Sequence, residues 1–192
     1  MNVLHIDSSV LGDNSVTREL SAAIVADLRQ STPNLAVTHR DLDSDAIPHL
    51  TGAALMKIDA DQAAVSEATL QQFLDADVVV IGAPMYNFSI PSTLKAWIDR
   101  ILVAGRTFKY TEAGPQGLVS GKKIVIASGR GSLFGDNNPA DFQEKYLKQV
   151  FSFIGLDDVQ FVRAEGVAYS PQHRVDALAA AHATIGTFAK AS

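Results

Sequence analysis

The sequence predicts an α/β fold of three layers, in which helices cover both faces of a five-stranded parallel sheet. Two features of the hydrophobic pattern predict it. Short apolar runs alternate along the chain with longer stretches of helical period, as in proteins built from βα units. The run at residues 78–81, Val-Val-Val-Ile, is apolar at every position, which is typical of a central strand buried on both faces. The chain has 192 residues with no repeat or linker, so we expect residues 1–192 to form a single domain.

The first half of the chain contains three of the predicted strands. The first strand is the apolar run at residues 3–6, and a helix over residues 15–30 follows it. Three positions four residues apart define the apolar face of this helix: Leu20, Ile24 and Leu28. Pro33 ends the helix, and the second strand is expected at residues 36–39, before the central one.

The second half continues the same alternation. A helix is expected over residues 92–103, because Pro91 suits the first position of a helix, where a missing N–H costs nothing. A fourth strand at residues 123–127, a helix at 141–153 and a fifth strand at 159–162 follow. Apolar spacings of three, four and three residues mark a final helix: Val175, Leu178, His182 and Ile185.

Two segments are longer than the connections that such a fold requires. Residues 41–60 contain Pro48 and show no clear period. In residues 107–119, Phe108 and Tyr110 alternate before a Gly-Pro-Gln-Gly sequence. This second segment predicts a hairpin or a long loop that belongs to a site or an interface.

The composition excludes several classes of function. The absence of cysteine excludes a thiol nucleophile, a Cys-ligated metal and a cysteine phosphatase. A net charge of −5 argues against nucleic-acid binding, which requires a basic surface. No apolar run approaches the ~18 residues of a membrane span, and no signal-type segment is present, so we expect no membrane association and a cytoplasmic location. The five histidines lack metal-ligand spacing, so we expect no metal site.

The loop after the first strand has the chemistry of an anion site. Its hydroxyl residues are Ser8, Ser9, Ser15 and Thr17. In open α/β sheets, ligands bind at the carboxyl ends of strands, and the N-terminus of a helix favours a phosphate. Helix capping by Asn14 or Ser15 is the simpler explanation, but one cap accounts for one or two polar residues rather than four. A nucleoside triphosphate is not expected, because the chain lacks the G-x-x-x-x-G-K-[ST] motif.

Two further loops suit a flat ring. Residues 82–91 carry Tyr86 and Phe88 between two prolines, which pre-set the backbone. Such a segment fits a planar heterocycle, although a loop that packs its aromatic side chains into the core has the same composition. Residues 129–135 are glycine-rich and form either a flexible turn or a close backbone approach to a flat ligand, which we prefer. One phosphate site and two ring-binding loops together predict flavin mononucleotide (FMN).

These residues also resemble a known family, the flavodoxin-like FMN-dependent NADH:quinone oxidoreductases and azoreductases. The matching segments are Ala83 and Pro84 with Met85, Tyr86, Asn87 and Phe88, residues 108–112 and 114–118, and residues 153–155 and 164–169. The resemblance extends along nearly the whole chain. It implies a flavodoxin-like three-layer fold with the strand order 2-1-3-4-5.

The resemblance also implies roles for individual residues. The residues expected to hold the FMN phosphate are Ser9, Ser15, Val16 and Thr17. Those expected at the isoalloxazine ring are Met85, Tyr86, Asn87 and Phe88. The loop after the fourth strand adds Ser128, Gly129, Arg130 and Gly131, where the family typically has Ser-Arg-Gly-Gly, so either the Arg130 side chain or only the backbone meets the flavin. The residues expected to contact the substrate are Asn87, Phe88, Tyr110 and Phe153, with the last two acting across a homodimer interface.

The family reaction is a two-electron, ping-pong transfer. NADH or NADPH reduces the bound FMN and leaves, and a quinone or an aromatic azo compound then takes the electrons. Two successive transfers of this kind cleave the azo bond to aromatic amines. The alternative is a flavodoxin-type electron carrier without a small-molecule substrate, and the aromatic segment at residues 107–119 favours the enzyme.

Overall fold

A computed structural model describes residues 1–186 of this chain. Their strands are, in chain order, β1 (Asn2–Asp7), β2 (Ala36–Asp41), β3 (Val78–Pro84), β4 (Phe108–Thr111), β5 (Gly114–Gly117), β6 (Lys123–Gly129) and β7 (Val159–Ala164). Five of them form one parallel sheet in the order β2-β1-β3-β6-β7. Counting only the strands of this sheet, the topology is the predicted 2-1-3-4-5.

Helices cover both faces of the sheet, which confirms the three-layer prediction. They are α1 (Val16–Ser31), α2 (Gly52–Leu55), α3 (Ala60–Asp75), α4 (Ser92–Ile101), α5 (Glu144–Phe153) and α6 (Pro171–Ile185). The core on one face includes α1 and α6, and the core on the other includes α3, α4 and α5. No helix in residues 1–186 has the length and apolar character needed to cross a membrane.

The central strand β3 supplies side chains to both cores. Val78 and Val80 pack on the side of α1 and α6, whereas Val79 and Ile81 pack on the opposite side. All seven residues of β3 are buried. Successive side chains of a strand point to opposite faces, so a strand covered on both sides must be apolar throughout. The prediction that residues 78–81 form a central strand buried on both faces is therefore confirmed.

The structure differs from the sequence prediction mainly between β2 and β3. The helices α2 and α3 were not predicted, because α3 buries only Thr69, Leu70 and Phe73 and so shows little apolar period. Helix α4 ends at Ile101 rather than at residue 103, and α5 begins at Glu144 rather than at 141. The Asp141 side chain accepts hydrogen bonds from the amides of Gln143 and Glu144, so it precedes the helix as a cap.

Residues 107–119 form the predicted hairpin, with β4 and β5 antiparallel. The hairpin lies directly on the end of α5. The amide of Val119 donates to the carbonyl of Ile154 at 2.9 Å. A Cβ on Gly117 would lie 2.3 Å from the amide nitrogen of Gly155, so a side chain there would separate the two elements.

Candidate active site

The loops that follow β1 and β3 lie side by side at the carboxyl edge of the sheet. The strand order reverses here, because the chain leaves β1 toward β2 and returns to β3 on the other side. Ser8 joins the two loops, since its Oγ and its amide both donate to the carbonyl of Gly82, at 2.7 and 3.2 Å. Ligands of open α/β sheets bind at such a reversal. The structure therefore brings the predicted phosphate and ring loops together at the expected place.

Three buried hydroxyl side chains gather at the N-terminus of α1. Ser9, Ser15 and Thr17 are each at most 3% exposed, and Ser15 Oγ lies 3.2 Å from Thr17 Oγ1. Ser15 also caps the helix by accepting a hydrogen bond from the amide of Arg18. Helical geometry leaves the amides of Val16 and Thr17 without intrahelical acceptors. These hydroxyls and amides, at the positive end of the helix, form a donor set suited to an anion.

Two glycines allow the first turn of α1 to approach the sheet. A Cβ on Gly82 would lie 3.1 Å from the carbonyl oxygen of Thr17, and a Cβ on Gly129 would lie 2.7 Å from Thr17 Cγ2. The side of Gly129 from which a Cβ would project is thus occupied by Thr17. The carbonyl of Gly129 accepts a hydrogen bond from the amide of Met85 at 2.8 Å, which joins the loops after β3 and β6.

Arg18 anchors the loop after β1, and no pattern in the sequence predicts this role. Its guanidinium donates to both carboxylate oxygens of Asp41, at 2.6 and 2.9 Å, and twice to the carbonyl of Ser9, at 2.8 and 3.1 Å. The hydrogen bonds from Arg18 lower the pKa of Asp41 from 3.8 to about 2. A bidentate pair of this kind fixes the orientation of both groups. Arg18 and Asp41 stand on different elements, so no local spacing in the sequence reveals the pair.

The loop after β3 contains a tight turn with an unusual backbone. The main chains of Tyr86 and Ser89 exchange two hydrogen bonds, at 2.9 and 3.1 Å. Between them, Asn87 and Phe88 have φ values of 49° and 70°, a conformation that costs energy for residues other than glycine and is concentrated at functional sites. Phe88 is 57% exposed. The turn therefore presents an aromatic ring outward, beside the loop that carries Ser9.

The side chains of Ser128 and Arg130 lie inside the protein, below the loop after β6. Arg130 is 1% exposed, and its guanidinium pairs with the carboxylates of Asp141, Glu144 and Glu165 at 2.8–2.9 Å. Ser128 is also fully buried, and its Oγ donates toward Glu144 at 3.3 Å. Both side chains belong to an internal network below the loop, in which two carboxylates at the start of α5 and one after β7 surround the buried guanidinium. The loop can offer a cofactor its backbone rather than the Arg130 guanidinium.

The predicted substrate residues fall into two groups. Tyr110 on the hairpin is 75% exposed, and its ring contacts Phe108 edge-on at 5.5 Å. Phe108 in turn contacts Phe153 at the end of α5, at 4.6 Å between ring centroids. Tyr110 and Phe153 thus share one aromatic cluster with Phe108. Over residues 1–186, no ring contact or hydrogen bond joins this cluster to Asn87 and Phe88.

Comparison with known proteins identifies the family. A sequence model described as the flavodoxin-like fold matches residues 1–188. The chain belongs to this flavodoxin-like family. It is 63% identical over 185 residues to an FMN-dependent NADH:quinone oxidoreductase of Stenotrophomonas maltophilia, covering 96% of this chain and 94% of the relative. A protein of Xanthomonas euvesicatoria named FMN-dependent NADH:quinone oxidoreductase 1 is 64% identical over 186 residues, covering 97% and 95%.

Solved structures of flavodoxin-like azoreductases resemble this one along their whole length. An azoreductase from Bacillus anthracis str. Sterne has a TM-score of 0.88 at 30% identity, covering 98% of each chain. An FMN-dependent NADH-azoreductase from Bacillus anthracis str. Ames Ancestor, solved in complex with FMN, has a TM-score of 0.86 at 28% identity and covers 99% of this chain and 98% of that one. The names of these proteins agree with the predicted quinone or azo reductase and favour it over an electron carrier.

Proposed function

We propose that this chain is an FMN-dependent oxidoreductase that passes two electrons from NADH to quinones, and also to aromatic azo compounds, in a ping-pong reaction. One observation carries the proposal. The loop after β1, which carries Ser9 and leads to the buried hydroxyl pair of Ser15 and Thr17, contacts the turn after β3 at the reversal of strand order, where Ser9 Oγ lies 3.1 Å from the Tyr86 hydroxyl. A phosphate cradle next to an aromatic platform fits a mononucleotide with a flat ring, and the relatives' names give the same cofactor.

The residues present suit FMN. The phosphate would be held by Ser9, Ser15, Val16 and Thr17, whose hydroxyls and amides are all donors toward a dianion. The ring would lie against the segment from Met85 to Phe88, with the backbone at Gly131 near its edge. When bound, FMN supplies the redox chemistry, taking a hydride from a reduced nicotinamide and returning two electrons to the acceptor. The protein supplies binding, orientation and exclusion of water.

The chain's own residues then control which molecules reach the ring. Asn87 and Phe88 are exposed at the turn and would contact the substrate directly. The aromatic cluster of Phe108, Tyr110 and Phe153 offers a second apolar wall for a nicotinamide or quinone. Aromatic walls orient flat substrates at a small entropic cost. Neither wall requires an acid–base residue, which is consistent with hydride chemistry carried by the cofactor.

We also propose that the protein is a homodimer, with the aromatic cluster of one subunit completing the site of the other. The two groups of substrate residues are separate within one chain, and several large apolar side chains are exposed: Phe88, Tyr110, Leu118, Leu133 and Phe142. Apolar surface of this kind marks an interface. We propose a cytoplasmic location as well, because the proposed electron donor is NADH and reduced nicotinamides are intracellular metabolites.

Three measurements test the proposal. Cofactor released by heat should co-elute with FMN on chromatography, and NADH-dependent reduction of a quinone and of an azo dye should give the parallel reciprocal plots of a ping-pong reaction. FAD, or no flavin after reconstitution, would overturn the cofactor assignment. Electron transfer only to another protein would favour the carrier. Light scattering that finds only a 20.5 kDa species at micromolar concentration would contradict the dimer.

A further inference from the structure

A second polar cluster lies on the α1 side of the sheet, behind the phosphate loop. His5 and Asp7 are two residues apart on β1 and so share a face, and His39 of β2 pairs in register with His5. The two imidazole rings lie 4.5 Å apart and are tilted by 36°. Both direct Nε2 toward the same carboxylate oxygen, Asp7 Oδ2, at 3.4 Å from His5 and 2.9 Å from His39. Three ligand-type atoms therefore surround one small volume.

We propose that His5, Asp7 and His39 form a binding site for a divalent transition-metal cation such as Zn²⁺. Two imidazole nitrogens and one carboxylate oxygen are an established donor set for zinc, which is bound at about 2.0–2.2 Å. Tetrahedral geometry at those bond lengths places the ligand atoms roughly 3.3–3.5 Å apart. The separation between His5 Nε2 and Asp7 Oδ2 is 3.4 Å, and the ligand atoms of all three residues lie within 4.8 Å of one another. A small outward movement of His39 would complete the arrangement.

The carboxylate is already oriented for this role. Ser21 of α1 donates from Oγ to Asp7 Oδ1 at 2.7 Å. That oxygen is thus occupied, and Oδ2 is left facing both histidines. An outer partner of this kind commonly fixes the orientation of a metal-ligating side chain and raises affinity. Ser21 Oγ also lies 2.9 Å from His5 Nε2, and a cation bound at that nitrogen would take the place of this hydrogen bond.

Access and charge also favour a cation. Asp7 and His5 are buried, whereas the His39 side chain is 48% exposed, so an ion can enter at the edge of the sheet formed by β2. A fourth coordination position would then face solvent, as in zinc sites that keep a water. The positive charge of Arg18, close to Asp7, is neutralised by its bidentate pair with Asp41. The site is separate from the proposed cofactor residues, although Asp7 directly precedes Ser8 in the chain.

The test is a calorimetric titration of Zn²⁺ into the full-length chain, saturated with FMN and carrying no histidine tag. One equivalent is expected to bind. His39→Ala should weaken binding by at least the ~10–100-fold that loss of an outer-shell partner costs, because a direct ligand is removed. His49→Ala removes an exposed histidine outside the cluster and serves as the matched control, with binding unchanged. Bound Co²⁺ should show visible absorption that disappears in the same variants.

The outcomes separate a metal site from a hydrogen-bonded triad. Should the wild-type chain bind Zn²⁺ no more tightly than His39→Ala, the cluster is a hydrogen-bonding network and the proposal fails. Loss of binding in His49→Ala but not in His39→Ala would also overturn it, since the cation would then bind elsewhere. Where circular dichroism shows that His39→Ala is unfolded, His39→Gln and His5→Gln give the same comparison. Quinone reductase activity is not a readout here, so the result does not depend on the proposed function.

Discussion

The hydroxyl of Tyr86 lies 3.1 Å from the Oγ of Ser9, and this contact joins the turn after β3 to the phosphate loop after β1. The same hydroxyl accepts a hydrogen bond from the amide of Val10 at 3.3 Å. Arg18 holds the carbonyl of Ser9 from the other side. Ser9 is therefore fixed between two elements. These contacts set the distance between the loop after β1 and the turn after β3.

Tyr86→Phe should weaken FMN binding without unfolding the protein. The change removes one hydroxyl that bonds the phosphate loop, and a hydrogen bond of this kind contributes about 0.5–1.5 kcal/mol, or roughly two- to tenfold in Kd. Quenching of FMN fluorescence measures the affinity. Tyr146→Phe is the control, because Tyr146 lies on α5 and packs against the core on that face of the sheet. Equal affinities for Tyr86→Phe and wild type would show that the loops are positioned independently.

Changing both Ser15 and Thr17 to Ala should weaken FMN binding more strongly. Each hydrogen bond to a charged phosphate contributes about 1.5–3 kcal/mol. At saturating FMN, turnover should return close to the wild-type value, since the groups around the ring are unchanged. Ser15 is also a helix cap, so Ser170→Ala, which removes the cap of α6, is the matched control for stability. If Ser170→Ala lowers FMN affinity equally, the effect is one of stability rather than phosphate binding.

Tyr110→Ala should show the opposite pattern. The side chain is exposed on the hairpin and stands apart from the phosphate loop, so flavin affinity should change little. Loss of the wall that positions nicotinamide and quinone should lower kcat/KM. Tyr110→Phe retains the ring and should retain most of the activity. Steady-state quinone reduction across an FMN titration measures both quantities. If Tyr110→Ala binds flavin poorly but keeps its kcat/KM at saturating FMN, Tyr110 contributes to flavin binding rather than to the substrate wall.

Arg130→Leu should destabilise the fold by about 3–5 kcal/mol, because it leaves the buried carboxylate of Asp141 without its counter-charge, whereas Glu144 keeps Arg163. Arg106→Leu removes an exposed arginine that pairs with Glu67 and should cost about 1 kcal/mol or less. Urea denaturation measures both values. Similar small losses in the two variants would mean that the network around Arg130 does not hold a full buried charge.

The pair of Arg18 and Asp41 should contribute to stability in a defined pH range. The pKa of Asp41 is about 2 in the folded chain against 3.8 ordinarily, so the unfolded state binds more protons between these values. The contribution is complete above pH 3.8 and is lost as the pH falls toward 2. Urea titrations at several pH values measure the free energy of unfolding. As the pH falls from 3.8 toward 2, this free energy should decrease less in Asp41→Asn than in the wild type. Asp45→Asn, which removes an exposed carboxylate beside Arg40, should follow the wild-type curve.

The sequence by itself determined the sheet and its central strand. Burial on both faces requires an apolar side chain at every position, as in residues 78–81, and this pattern is local enough to be recognised without the fold. The hairpin at residues 107–119 and the cap at Ser15 were predictable for the same reason, because each depends on neighbours in sequence. Helix α3 was missed because few of its side chains are buried, so the pattern carried little information.

Only the tertiary structure determined which charged and polar side chains pair with one another. Arg130 stands in a glycine-rich loop, where the sequence left it open to a ligand, but Asp141 and Glu144 at the start of α5 and Glu165 after β7 surround it. The His5 and His39 rings meet at Asp7 because two parallel strands lie in register. Pairing between distant segments minimises the cost of burying charge, and that energy depends on distances in space rather than on spacing along the chain.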